Sequence, residues 1–133
     1  MKRTLFLSLA ACLATAACSR GFIFKAFNNI GRDLIIVSYD GRLVPHEFSV
    51  AAGASVDVQF STKLTIKRSN GEWEYDLART GSSYHYTRAG GLGLCVQDIQ
   101  IESDGTIYLL SPKTKQAVKQ FPSQPVGFPL KPR

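Results

Sequence analysis

The chain of 133 residues is 44% hydrophobic, with eight Phe, five Tyr and one Trp, which supports the core of one small domain and leaves no room for two. Its formal charge is +6, but residues 111–133 carry five cations (Lys113, Lys115, Lys119, Lys131, Arg133) and no acid. Lys2 and Arg3 supply two more, so residues 18–110 balance to −1. A nearly neutral body argues against a folded nucleic-acid reader, which gathers its cations on one groove or helix face.

Met1-Lys2-Arg3 forms a short positive segment, followed by TLFLSLAACLATAA (4–17), an uncharged run of 14 residues ending in small side chains. This is the pattern of a cleaved secretory signal peptide, residues 1–17. It falls short of the roughly 20 apolar residues that span a bilayer. The stretch Thr15-Ala16-Ala17-Cys18 resembles the lipobox of bacterial lipoproteins, where small residues flank the cut and a cysteine thiol takes the lipid. The resemblance covers only the first twenty residues, and Thr15 stands where leucine is commonest. It implies lipidation at Cys18 and a lipid-anchored, palmitate-bearing protein. Ser19, in place of a retaining aspartate, implies the outer membrane, facing the periplasm. Two other outcomes stay open. Leu9-Ala10-Ala11-Cys12 also fits the lipobox but leaves an apolar run of only eight residues after Arg3, and ordinary cleavage after Ala14-Thr15-Ala16 would free Cys18 to pair with Cys95 in an oxidising compartment.

From residue 22 to 110 the apolar residues alternate with period two, and no 3.6-residue pattern persists, so the domain (18–110) is read as all-β. FIFKAFN (22–28) and LIIVSY (34–39) are strands. Asp40-Gly41 turns the chain into RLVPHEF (42–48), where Pro45 marks an edge strand. SVDVQF follows AAGAS. KLTIKR and EWEYDL flank Ser69-Asn70-Gly71, the clearest hairpin signal, with Lys63, Thr65 and Lys67 expected opposite Glu72, Glu74 and Asp76. SYHYT (83–87) reads as a strand, AGGLG as a close-approach loop, and 92–102 as a strand whose inward phase shifts through a bulge near Gln97 and Asp98. Asp104-Gly105 leads into TIYLL. About eight short strands predict a small β-sandwich, immunoglobulin-like, or a small barrel. Residues 111–133, basic and proline-rich, read as an extended or disordered tail that could bind an anionic surface through Lys113, Lys115, Lys119, Lys131 and Arg133.

Candidate chemistry is sparse. His46, His85 and Cys95 are possible metal ligands, but the cysteine is not followed by the His and Met that a copper-binding β-sandwich places there, and no metal or cofactor is expected. No Gly-x-Ser-x-Gly elbow is present, so no catalytic residue is assigned. A small periplasmic hydrolase remains the alternative, and requires Ser82, Ser83, His85 or Asp98 to converge. Gly90-Gly91-Leu92-Gly93 lacks the lysine and helix of a phosphate loop. Arg79, Tyr84, Tyr86 and Arg88 form the best candidate for partner recognition, because Tyr and Arg are enriched at binding hot spots. The reading is a non-enzymatic binding or accessory module of the cell envelope, held at the membrane by an N-terminal lipid, with a protein or other envelope component as partner and no nucleic acid.

Overall fold

The computed structural model describes residues 21–59, 61–78, 87–112 and 116–133. Nine strands run in chain order: β1 (Gly21–Asn28), β2 (Leu34–Tyr39), β3 (Pro45–Val50), β4 (Ser55–Gln59), β5 (Lys63–Arg68), β6 (Gly71–Asp76), β7 (Thr87–Gly91), β8 (Leu94–Ile101) and β9 (Ile107–Leu109). They form a β-sandwich. One sheet has the order β4-β1-β8-β7 with β9 also on β8, and the other has the order β3-β2-β5-β6. No helix among the described residues is long and apolar enough to cross a membrane.

Alternation builds the core directly. Phe24 and Ala26 of β1, Leu34 and Ile36 of β2, Leu64 and Ile66 of β5, and Ile99 and Ile101 of β8 point between the sheets and form one buried cluster. The β5–β6 hairpin takes the expected register, with Lys63 opposite Asp76, Thr65 opposite Glu74 and Lys67 opposite Glu72. Pro45 opens β3, an edge strand of its sheet, where its missing N–H leaves no ladder bond unmade.

Two details differ from the sequence pattern. β8 has no phase shift at Gln97 and Asp98. It pairs in unbroken parallel register with β1, from Gly21–Leu94 to Asn28–Ile101. Apolar and polar residues from Cys95 to Ile101 are all buried: β8 is an inner strand between β1 on one side and β7 and β9 on the other, and its outward face is covered too, with Val118 on Gln100 and Arg88 on Asp98. The irregularity lies instead between Ala89 and Gly91, where β7 pairs with β8. The first glycines of AGGLG are therefore strand rather than loop. A Cβ on Gly90 would come within 2.7 Å of the Val96 side chain, so only glycine lets β7 lie this close. The predicted strand 83–87 falls mostly outside the described residues, which resume at Thr87.

The C-terminal residues 116–133 add almost no strand yet lie against the sandwich. β9 has one edge without a strand partner, and this segment covers it. Ile107 exchanges both backbone hydrogen bonds with Leu130, at 2.8 and 2.9 Å. Two residues on, the Gln124 side-chain amide plays the part of a strand. It accepts from the Leu109 N–H (2.9 Å) and donates to the Leu109 carbonyl (3.0 Å). Gln100, fully buried on β8, does the same for the Val118 backbone, donating to its carbonyl at 3.0 Å and accepting from its N–H at 3.1 Å. Phe128 and Leu130 join the core, and Phe121 stacks on Tyr108 at 3.8 Å between centroids. The segment then crosses to the other sheet, where the Arg133 N–H donates to the Glu74 carbonyl and its guanidinium pairs with Asp76.

Candidate functional site

One end of the sandwich is built around Asn28, the last residue of β1. Its amide is fully buried and donates to the carbonyls of Arg32 (2.7 Å) and Val50 (3.3 Å), while its Oδ1 accepts from the Ile30 N–H (3.0 Å). Its backbone bonds Gly53 and Ala54. One side chain thereby ties the β1–β2 loop to the end of β3, where an apolar residue would leave buried backbone groups unpaired. Asp33 extends the tie by accepting from the Ala52 N–H at 3.0 Å, and Asn29 binds the Glu102 carboxylate at 3.0 Å.

Beside this loop stands the end of the β5–β6 hairpin. Arg68 follows Leu64 and Ile66 at the same parity, so the strand aims a guanidinium along the core-facing side. The core ends there, and the guanidinium lies over the Trp73 ring at 3.6 Å. Trp73 packs against Gly105. A Cβ on that glycine, whose φ is +86°, would come within 3.0 Å of both the indole and Pro132. The Gly105 carbonyl accepts from the Tyr75 hydroxyl at 2.6 Å, and burial pushes the Tyr75 phenol well above its ordinary pKa.

Between the loop and the hairpin lies a cleft of about 280 Å³ lined by Arg32, Asp33, Arg68, Asn70 and Ser103, with Trp73 and Ile30 behind them. It adjoins a wider depression of about 640 Å³, where Leu34, Ile35 and Val50 supply apolar floor beside the shared Asp33, Arg68 and Ser69. Arg32 and Arg68 have no ion pair among the described residues. The Arg68 Nε is buried with no hydrogen-bond partner. Lys67, at the rim of the depression, is occupied: its ammonium binds Glu47 at 2.9 Å on the outer face, which raises its pKa. Arg68 therefore does not join Lys63 and Lys67 opposite the β6 acids. It sits on the other face.

The structure describes only some of the residues singled out by sequence. Cys18, Arg79, Tyr84, Tyr86, Lys113 and Lys115 lie outside the described residues, as do Ser82, Ser83 and His85. Arg88 is engaged on β7 in a two-point contact with the buried Asp98 (2.9 and 3.2 Å), and this bond raises the arginine pKa. The contact clamps β7 to β8 and leaves the Arg88 side chain 38% exposed. Lys119 and Lys131 are exposed, whereas Arg133 is paired with Asp76. His46 lies exposed with its Nε2 3.3 Å from Asp40. Cys95 is 3% exposed and disulfide-bonded, and its partner lies outside the described residues. No three His, Cys, Asp or Glu side chains among the described residues are grouped to hold a metal.

The cleft itself was missed by sequence reasoning, although one signal pointed to it. In an alternating strand a cation at an inward position is an exception, and Arg68 follows Leu64 and Ile66 in that phase. No family model, curated protein or solved structure matches the chain.

The opposite end of the domain belongs to the N-terminus. β1 starts at Gly21 beside Leu94, and β1 ends at Asn28 beneath the cleft. Eight residues at about 3.3 Å each separate the two ends by roughly 25 Å. The β7–β8 turn lies at the N-terminal end, with Leu92 83% exposed and held at φ 52°.

Proposed function

We propose that this protein is an exported binding or accessory module of the bacterial cell envelope, tethered to the outer membrane through an acylated Cys18. What supports the tether is the sequence Thr15-Ala16-Ala17-Cys18 directly after an apolar leader. The placement of the cleft is consistent with that role. Cys18 precedes β1 by three residues, while the cleft lies past the other end of β1, so a tethered domain presents it away from the bilayer. Each acyl methylene buried in the membrane contributes about 0.8 kcal/mol, and several chains make the anchorage stable. Confinement raises the effective concentration of the domain near other envelope components, which lets a modest interface suffice.

A second reading is favoured by one observation, the disulfide on Cys95. The chain has three cysteines, Cys12, Cys18 and Cys95, and Cys12 lies within the leader that cleavage removes. A mature chain that keeps the bond would draw on the Cys18 sulfur, which then could not carry a thioether to lipid. The protein would be a soluble periplasmic domain with the start of β1 stapled to β8. Intact mass of the protein extracted from cells, followed by its N-terminal peptide with and without reductant, separates the two. An acylated peptide beginning at Cys18 with Cys95 alkylatable supports the tether. An unacylated peptide linked to the Cys95 peptide overturns it in favour of the staple.

A further inference from the structure

We propose that the cleft between Arg32 and Arg68 is a carboxylate-binding site that receives an acidic side chain from an extended segment of a protein partner. The proposal rests on the binding-module reading and names the chemistry of its ligand.

Charge sets the first constraint. Two guanidinium groups face one carboxylate, Asp33, which already accepts from the Ala52 N–H, so the lining carries a formal charge of +1. That balance suits a monoanion; a phosphate dianion would be left with one charge uncompensated beside Asp33. Geometry sets the second. Stacking on Trp73 at 3.6 Å holds the Arg68 guanidinium in one plane, and a held planar fork matches the two oxygens of a carboxylate with little ordering left to do on binding. Its Nε has already surrendered water without gaining a partner in return. Asn70 and Ser103 stand beside it with neutral donors.

Size and lining decide between classes of acid. The cleft, about 280 Å³, admits one side chain, and the adjoining depression offers Leu34, Ile35 and Val50 to an apolar neighbour of that side chain. An acidic residue next to an aliphatic one in an extended peptide fills both. An acidic sugar would want an open aromatic face, and here the guanidinium covers one side of Trp73 while Gly105 and Pro132 crowd the ring.

Trp73 is the sole tryptophan in the chain, so its emission reports on the site without a label. The assay titrates the mature protein, in detergent if it partitions with membranes, with the peptide acetyl-Leu-Glu-Leu-amide and its Gln counterpart. Glucuronate and inorganic phosphate are run in parallel. The Glu peptide should give a saturable change, with the Gln peptide weaker by about tenfold and the Glu affinity falling as salt rises. Arg32→Gln, at an exposed position that leaves folding intact, and Arg68→Lys should each weaken the Glu peptide by about tenfold. Equal binding of Glu and Gln peptides, tighter binding of glucuronate or phosphate, unchanged affinity in Arg32→Gln, or no saturation up to about 10 mM overturns the proposal. Cys18 takes no part in this assay. An unacylated protein that binds the Glu peptide refutes the tether alone, and an acylated protein that ignores it refutes the carboxylate site alone.

Discussion

Replacing Gln124 with Ala tests whether a side-chain amide stands in for a strand. Both polar groups of the Leu109 backbone depend on Gln124, at 2.9 and 3.0 Å, and Leu109 is fully buried. Each hydrogen bond contributes about 0.5–1.5 kcal/mol net, and a buried group left without a partner costs about 1–3 kcal/mol. The third bond, from the Gln124 amide to the Pro122 carbonyl at 3.0 Å, is local and adds little, because water replaces it. Gln124 is only partly buried, so water also recovers part of the Leu109 loss, and the expected destabilisation is about 2–3 kcal/mol. Urea unfolding monitored by Trp73 emission measures it. With m near 1.5 kcal/mol/M, the midpoint should fall by about 1.5 M at unchanged m. Hydrogen exchange at the Leu109 amide should accelerate together with that at Ile107, whose partner Leu130 lies on the same segment. Lys119→Ala, exposed, is the control and should stay within about 0.5 kcal/mol. A loss below about 0.5 kcal/mol in Gln124→Ala, matching the control, would refute the strand-mimic account.

Three further outcomes follow from the same structure. Gly105→Ala, which forces a Cβ to 3.0 Å from Trp73 and Pro132 at φ +86°, should destabilise by about 2 kcal/mol or more and shift Trp73 emission; unchanged emission and melting would contradict the packing described. Leu92→Gly should do the reverse, because Leu92 is 83% exposed at φ 52° and relief of the left-handed strain outweighs the extra chain entropy, giving a gain of about 0.5–1 kcal/mol by urea unfolding; a loss would show that Leu92 makes contacts worth more than its strain. Asp40 accepts from the Val44 and Arg42 N–H groups, which hold its pKa below 3.8. The contribution is therefore present above the unfolded carboxylate value of about 3.9 and is lost as pH falls through the lowered folded value. The Arg42 and Val44 amide resonances should titrate with a midpoint below 3.8, and a midpoint at or above it would disprove these bonds in solution.

Much of the sandwich follows from local pattern. Alternation along residues 22–28, 34–39, 63–68 and 71–76 assigns the strands and their inward faces, because in a strand each side chain's direction depends only on its position parity. The turn Ser69-Asn70 sets the β5–β6 register for the same reason: a two-residue connection leaves one pairing open. The pattern misled where burial came from both sides. β8 carries Val96, Asp98 and Gln100 on the face away from the core, and these are buried by neighbours from distant parts of the chain, so the residues looked like a change of phase.

Of the cleft, the sequence by itself determined only that Arg68 shares a parity with Leu64 and Ile66. Tertiary structure decided the rest. The β1–β2 loop brings Arg32 and Asp33 to the end of a hairpin some thirty-five residues away, Asn28 locks that loop in place, and Trp73 finds Gly105 from another sheet. The same holds for residues 116–133. Their prolines and lysines describe a segment with no strand propensity, and composition is blind to a glutamine that pairs with a backbone fifteen residues earlier. A strand's inward face is a property of its own residues, whereas a side chain's partner across the fold depends on which loops close around it, and that is a property of the assembled sandwich.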